Sequence, residues 1–255
     1  MNPRAGFALL AINLLSALLS CSSNTAPLPE LTPPSWQDGE TSVYTIRRND
    51  TLLFRRTITI SLDEEAGEPI VIITSVVQSE STDYYFFDST SYALTRYTLK
   101  PLELYHTVAS EISISEVEVI FYPDQIRVEK TTIDGASTIT LKPLPGTYAI
   151  EMLPALLRAV PLEPALNFTI NGLVPLELRT LPVQVKVLGT KMVTTPQGEI
   201  LGREVETRTR NRTIRFVYEL AEPRRLIAIR DLGNSTETVL EDFFIRELKT
   251  PLPTD

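Results

Sequence analysis

The chain has 255 residues, 43% of them hydrophobic and 22% charged, with a formal net charge of -8. That hydrophobic share supports a packed core and excludes wholesale disorder, and the length suits one large β domain as well as two small ones. The negative balance, with no extended basic block to offset it, argues against a nucleic-acid partner.

The N-terminus carries one basic residue, Arg4, and then an apolar run from Phe7 to Leu19 broken only by Asn13 and Ser16. As a helix this run would span about 20 Å, short of the roughly 30 Å hydrocarbon core, which predicts a signal segment and not a spanning helix. It ends in Leu18-Leu19-Ser20-Cys21. That ending resembles the lipobox of bacterial lipoproteins. The resemblance implies cleavage between Ser20 and Cys21 and attachment of acyl chains, palmitate among them, through the Cys21 sulfur. Ser22 stands where an Asp would favour the inner membrane, which implies the outer membrane, facing the periplasm, if the organism has one. Cys21 is the only cysteine, so the folded part has no disulfide staple, no thiol nucleophile and no thiolate metal site. Residues 22–35 hold four prolines and no periodicity. They predict an extended tether that at about 3.1 Å per residue would reach some 40 Å. The expected organisation is a signal peptide at 1–20, a lipidated Cys and Pro-rich tether at 21–35, and a β domain at 36–255.

From Ser42 onward the dominant pattern is period-two alternation rich in Thr, Val, Ile, Tyr and Phe, cut by short turn signals. Strands are predicted at 43–47 and 52–62 around the turn Asn49-Asp50, at 70–78, 84–87 and 92–99, and at 111–122. Pro123-Asp124 then leads to 125–133, and Asp134-Gly135 to 137–142. The series continues at 167–170, 176–194 (broken near Pro182), 200–209, 212–220, 226–230 and 236–248. Such close spacing favours consecutive antiparallel strands over crossover helices. One segment differs. In residues 151–160 the apolar side chains Met152, Leu153, Leu156, Leu157 and Val160 recur at helical spacing, with Pro154 in the first turn and Pro161 as a stop. Between Ile112 and Phe121 the apolar set changes phase near Ser115-Glu116, which predicts either a β-bulge or two short strands with a kink. The fold expected is mainly β: a single antiparallel, strongly curved sheet, half-barrel or open barrel, with one short helix. Met152, Leu153, Leu156 and Leu157 would be the lid over its apolar concave face.

Between residues 148 and 230 the chain carries Leu153-Pro-Ala-Leu-Leu-Arg158 followed by Pro161-Leu162, then Val185-Lys-Val-Leu-Gly189, Thr194-Thr-Pro-Gln-Gly198 and Glu222-Pro-Arg-Arg-Leu226. These features resemble a family of bacterial envelope β-proteins of unknown function. Tyr218 stands where that family would carry Trp, and Ile227 where it would carry Pro. The resemblance implies a half-barrel with an inner helix, similar to lipoprotein-carrier proteins, whose concave face holds acyl chains.

No catalytic or metal constellation stands out. His106 is the only histidine, and Glu103 and Ser110 beside it are poor triad partners because sequence neighbours seldom converge; a surface histidine is the plainer expectation. Asp63-Glu64-Glu65 lacks the alternating oxygens and turn glycine of a calcium loop, and Asp83 and Asp88 make no better case. No glycine-rich phosphate loop is present. Tyr84-Tyr85-Phe86-Phe87 would send two rings inward and two outward, as packing or as an exposed platform. The Asn-x-Ser/Thr triplets at Asn49, Asn167, Asn211 and Asn234 read as turn and strand polarity. No cofactor is expected. The sequence therefore predicts a non-enzymatic, lipid-anchored envelope module that binds a lipid or other apolar ligand. The alternative is a structural or assembly partner of another envelope protein.

Overall fold

The computed structural model describes residues 26–80 and 84–246. The signal segment, Ser20 and Cys21 lie outside them. Fifteen strands form one sheet. The first half comprises β1 (Glu40–Arg48), β2 (Thr51–Glu65), β3 (Glu68–Ser79), β4 (Phe86–Thr95), β5 (Pro101–Ser110), β6 (Ile114–Phe121), β7 (Ile126–Thr132) and β8 (Gly135–Leu141). The short β9 (Thr147–Ala149) leads through a 3-10 turn, Ile150–Met152, into helix α1 (Leu153–Ala159). The second half is β10 (Asn167–Val174), β11 (Arg179–Thr195), β12 (Gly198–Arg208), β13 (Thr213–Glu219), β14 (Leu226–Asp231) and β15 (Thr236–Ile245). The order across the sheet is β8-β7-β6-β5-β4-β3-β2-β1-β15-β14-β13-β12-β11-β10-β9.

Thirteen of the neighbouring pairs are antiparallel, but β9 and β10 run parallel, so the sheet is mixed and not the all-antiparallel sheet expected. The reason is α1. A chain that leaves the sheet, crosses its face as a helix and re-enters beside its exit strand makes a crossover, and a crossover yields a parallel neighbour. A three-residue strand such as β9 has no periodicity to read.

The sheet must curl. Laid flat, fourteen strand spacings of about 4.8 Å would separate β8 from β9 by roughly 67 Å. Only five residues lie between Leu141 and Thr147, and the six Cα steps can span at most about 21 Å. The two edges are therefore brought near each other without being hydrogen-bonded. The gap is bridged where Lys130 of β7 donates from Nζ to the Leu176 carbonyl in the connection between β10 and β11, at 2.7 Å. The result is a barrel-like shell with an open seam.

Several expectations shift in detail. Residues 86–87 and 92–95, from two separate expected strands, fall in one strand, β4, and β5 has no counterpart in the expected series. β11 runs unbroken through Pro182, and its register shows why. Asn171, opposite Pro182, donates its backbone N–H to Gly146 at 3.2 Å, away from β11. The missing proline N–H therefore falls on the side where β12, whose pairing starts at Gln184, offers no partner. No register shift interrupts β6: Val117 and Val119 are buried, whereas Ile112 and Ile114 are exposed at its hairpin end. The phase change thus marks solvent-facing isoleucines and not a bulge or a kink. Shifts occur instead at Val43/Tyr44, Ile46/Arg47, Ala93/Leu94, Val187/Thr190 and Val217/Tyr218. On the outer face, Arg215 pairs with Glu206 at 2.9 Å, as alternating charge on neighbouring strands predicts.

From Ala26 on, the segment expected as a solvated tether runs along the shell. Ala26 bridges to Phe168, Leu28 and Leu31 pack on the core, and Thr32 donates its N–H to Ala159 at 2.9 Å. Prolines at 27, 29, 33 and 34 favour the extended conformation this strap needs. It ends at Trp36, which is buried.

Candidate functional site

Helix α1 lies inside the shell. Met152, Leu156 and Leu157 are fully buried in the main apolar cluster, together with residues such as Phe168 and Val185. Two of the segments that resemble the envelope family, residues 153–158 and 222–226, meet here. Tyr218 donates its hydroxyl to the Pro154 carbonyl at 2.8 Å. In the loop between β13 and β14, Arg224 donates to the Val160 carbonyl at 3.2 Å, and the Pro223 carbonyl accepts from Arg158 Nε at 2.7 Å. The helix is only seven residues long, too short to be stable alone; these bonds and its apolar contacts hold it.

Between α1 and the concave face of the sheet is a cavity of about 580 Å³, within the roughly 300–1,000 Å³ of small-molecule sites. Period-two alternation puts its lining there: Ile58 and Ile60 from β2, Ile73 from β3, Ile46 from β1, and Ile214 and Ile229 from the other half. Of the four residues expected as a lid, Leu153 alone lines the cavity, with Pro154, Ala155 and Arg158 beside it; Met152, Leu156 and Leu157 pack away from it. The helix is a plug that closes one side of the space.

The lining is not purely apolar, and the sequence reading missed most of its charged groups. Glu40 accepts a two-point ion pair from Arg158, at 2.6 and 3.1 Å, and the Arg158 guanidinium lies 4.7 Å above the Trp36 ring. Asp88 is hydrogen-bonded to His106 Nε2 at 3.1 Å, and His106 Nδ1 lies 3.6 Å from Glu151 at the entry to α1. Arg212 pairs with Asp231 at 2.7 Å. Arg56 gives its Nε–H to Ser75 Oγ at 2.8 Å and pairs with no carboxylate of a described residue. The available signal was phase: Arg56 falls in step with Ile58 and Ile60, Asp88 with Thr90 and Tyr92, and Glu40 with Ser42 and Tyr44.

Burial shapes these groups. It pushes the Glu151 carboxyl up to about 7, against the opposing influence of its own backbone hydrogen bond and His106. For His106, burial acts to lower the pKa but is outweighed by the hydrogen bond and charge of Asp88, with Glu151 adding, so the ring is raised above its ordinary value. Tyr44 is raised to about 12 by burial and donates its hydroxyl to the Leu226 carbonyl at 3.0 Å.

His106 is thus a buried, carboxylate-flanked residue and not a surface one. Glu103 sits on the other face of β5, where it accepts from Tyr105 at 3.4 Å, and Ser110 bonds Ser113, so these three do not converge. Nor do His106, Asp88 and Glu151 surround a point: the two carboxylates engage opposite nitrogens of one ring. Among the described residues no His/Cys/Asp/Glu group is arranged to hold a metal ion. Asp83 lies outside the described residues. At the rim, Phe54 meets Phe86 at 5.0 Å and Tyr84 at 6.1 Å, while Tyr85 is exposed.

The sequence matches the family described as a protein of unknown function, DUF3108, over residues 42–239. The chain belongs to the DUF3108 family. The match takes in both halves of the shell and the inner helix, well beyond the 148–230 stretch that carried the resemblance. No curated protein matches the chain. Among solved structures it is similar to a β-barrel-like protein of the domain of unknown function DUF1849 from Brucella abortus, with 10% identity, a TM-score of 0.53, and coverage of 82% of this chain and 98% of that one. A candidate lipoprotein from Parabacteroides distasonis aligns at 10% identity with a TM-score of 0.34, over 86% of this chain and 100% of that one; so distant a likeness carries no argument. The Brucella likeness shows that this member of the family has a barrel-like β fold. No helix of the described residues is long and apolar enough to cross a membrane.

Proposed function

We propose that this DUF3108 member is a lipid-anchored cell-envelope protein whose β shell is a non-enzymatic binding module for a lipid or other apolar ligand. The cavity between α1 and the concave face carries the reading: a space of about 580 Å³ walled by isoleucines from both halves of the sheet. Interiors of folded proteins are normally close-packed, with few voids larger than a water molecule. An apolar guest filling this space would gain about 0.8 kcal/mol for each methylene removed from water. Most charged groups that face it pair with one another, Arg158 with Glu40, Arg212 with Asp231 and His106 with Asp88, which leaves the isoleucine wall to receive an apolar guest. Anchoring rests on the lipobox-like ending at Cys21. The Pro-rich strap supports a short connection, because from Ala26 the chain already lies against the shell.

The test is to purify the protein from its own membranes and extract it with organic solvent. One lipid class recovered in near-equal amount to protein supports binding, and solvent extracts empty of any such molecule oppose it. Intact mass of the wild-type protein purified from its membranes should show a chain that starts at Cys21 and carries acyl chains, both lost in Cys21→Ser; a wild-type chain without acyl mass would remove the anchor.

A further inference from the structure

The wall of the cavity formed by β1 to β5 has a polar row that an apolar guest alone does not explain. Ser42, Ile58, Ser75, Thr90 and His106 stand side by side across five strands, with Arg56 one inward position along β2. Ser42, Ser75, Thr90 and His106 are all buried. Arg56 uses one of its five N–H donors on Ser75; the four on its Nη nitrogens meet no acceptor among the described residues. The other cations lining the space are spoken for: Arg158 by Glu40, Arg212 by Asp231 and His106 by Asp88. The Arg56 guanidinium is half-buried, so its Nη donors stay open to the cavity. Since Ser75 accepts from Arg56, its own hydroxyl proton is free to donate into the cavity, and the Thr90 hydroxyl stands beside it on β4.

Building on the reading of the cavity as an apolar-ligand site, we infer that the ligand is an amphiphile whose single anionic head, a carboxylate or a phosphate monoester, is held by Arg56 with the hydroxyls of Ser75 and Thr90. The tail lies along Ile58, Ile60, Ile214 and Ile229. Planar guanidinium suits both oxyanions because it offers two parallel N–H donors. Asp88 does not compete, being engaged by His106, and the Glu151 carboxyl sits on the far side of that ring.

The experiment is calorimetric titration of the full-length chain carrying Cys21→Ser, so that no acyl anchor competes, with dodecanoate, dodecyl phosphate, dodecan-1-ol and dodecyltrimethylammonium. At least one anion should bind about tenfold or more tighter than the alcohol, as a charge-assisted hydrogen bond implies. Whichever anion is tighter identifies the head. Arg56→Met should erase the preference, the anions binding no tighter than the alcohol does to the same variant, and Arg56→Lys should keep part of it. Circular dichroism establishes that each variant is folded, and if Arg56→Met does not fold the four wild-type affinities decide by themselves. An alcohol that binds as well as both anions, or an ammonium that binds best, overturns the anionic head and leaves the apolar site standing. If none of the four binds, the cavity reading itself falls.

Discussion

Arg158 of the inner helix and Glu40 of the first strand form a two-point ion pair at 2.6 and 3.1 Å, with only 7% and 3% of their side chains exposed. The pair ties the plug to the middle of the sheet, 118 residues apart in sequence. Removing one member leaves a buried charge without its partner, a loss of about 3–5 kcal/mol. Arg158→Met and Glu40→Leu should each lower the stability read from urea unfolding by that much. The double variant Glu40→Leu with Arg158→Met should regain a large part, since no stranded charge remains. Equal losses for the double and the sum of the singles would show that the two side chains act independently.

Stability should fall as pH rises through neutrality. Burial raises Glu151 to about 7 in the folded state, against about 4.3 in an unfolded chain. The native state therefore holds an extra proton between those values and loses the associated stability as pH climbs through the window. His106, raised above its ordinary value, acts in the same direction, its contribution present below the unfolded pKa and lost above the folded one. Urea unfolding at pH 5, 6, 7 and 8 should show the wild type losing stability on the order of 3 kcal/mol. Glu151→Gln should flatten most of that slope. An identical slope in the variant would place the titration elsewhere.

Close backbone approach makes Gly202 of β12 intolerant of a side chain. A Cβ there would lie 2.5 Å from Val217 Cγ1 and 2.7 Å from the Tyr218 carbonyl oxygen, whereas one at Gly189 meets nothing within 4 Å. Gly202→Ala should cost about 1–3 kcal/mol by overpacking. Gly189→Ala should be near neutral or stabilising by up to about 1 kcal/mol. Thermal melts of the two variants decide, and comparable melts would contradict the packing at β12.

Most of the shell is legible in the sequence because period-two alternation survives wherever one face is buried. Val43–Arg47 falls inside β1, and Asn49-Asp50 forms the first hairpin with positive φ at both residues, 48° and 65°. The helix is legible from the spacing of Met152, Leu153, Leu156 and Leu157. Spacing does not reveal the face each helical residue presents, so three of the four expected lid residues are core. Parallel pairing of β9 and β10 is hidden because three residues carry no period. Alternation read through apolar residues alone passes over Arg56 and Glu40 and leaves Asp88 only as a poor metal-ligand candidate; the same phase, extended to charged residues, marks all three as inward-facing. Arg158 is visible as part of a helix motif, but its partner lies on a distant strand and no local pattern joins them.

The cavity as a ligand site is tested most directly by filling it. Ile58→Trp projects an indole from β2 into the space, while most of the main cluster, including Met152, Leu156 and Phe168, is left in place. Native mass spectrometry of the full-length chain carrying Cys21→Ser, incubated with dodecanoate, should show one molecule bound per wild-type chain and none on the filled variant, with both proteins giving the same circular dichroism. Equal uptake by the two, or no uptake by the wild type, would contradict a binding module built around this cavity.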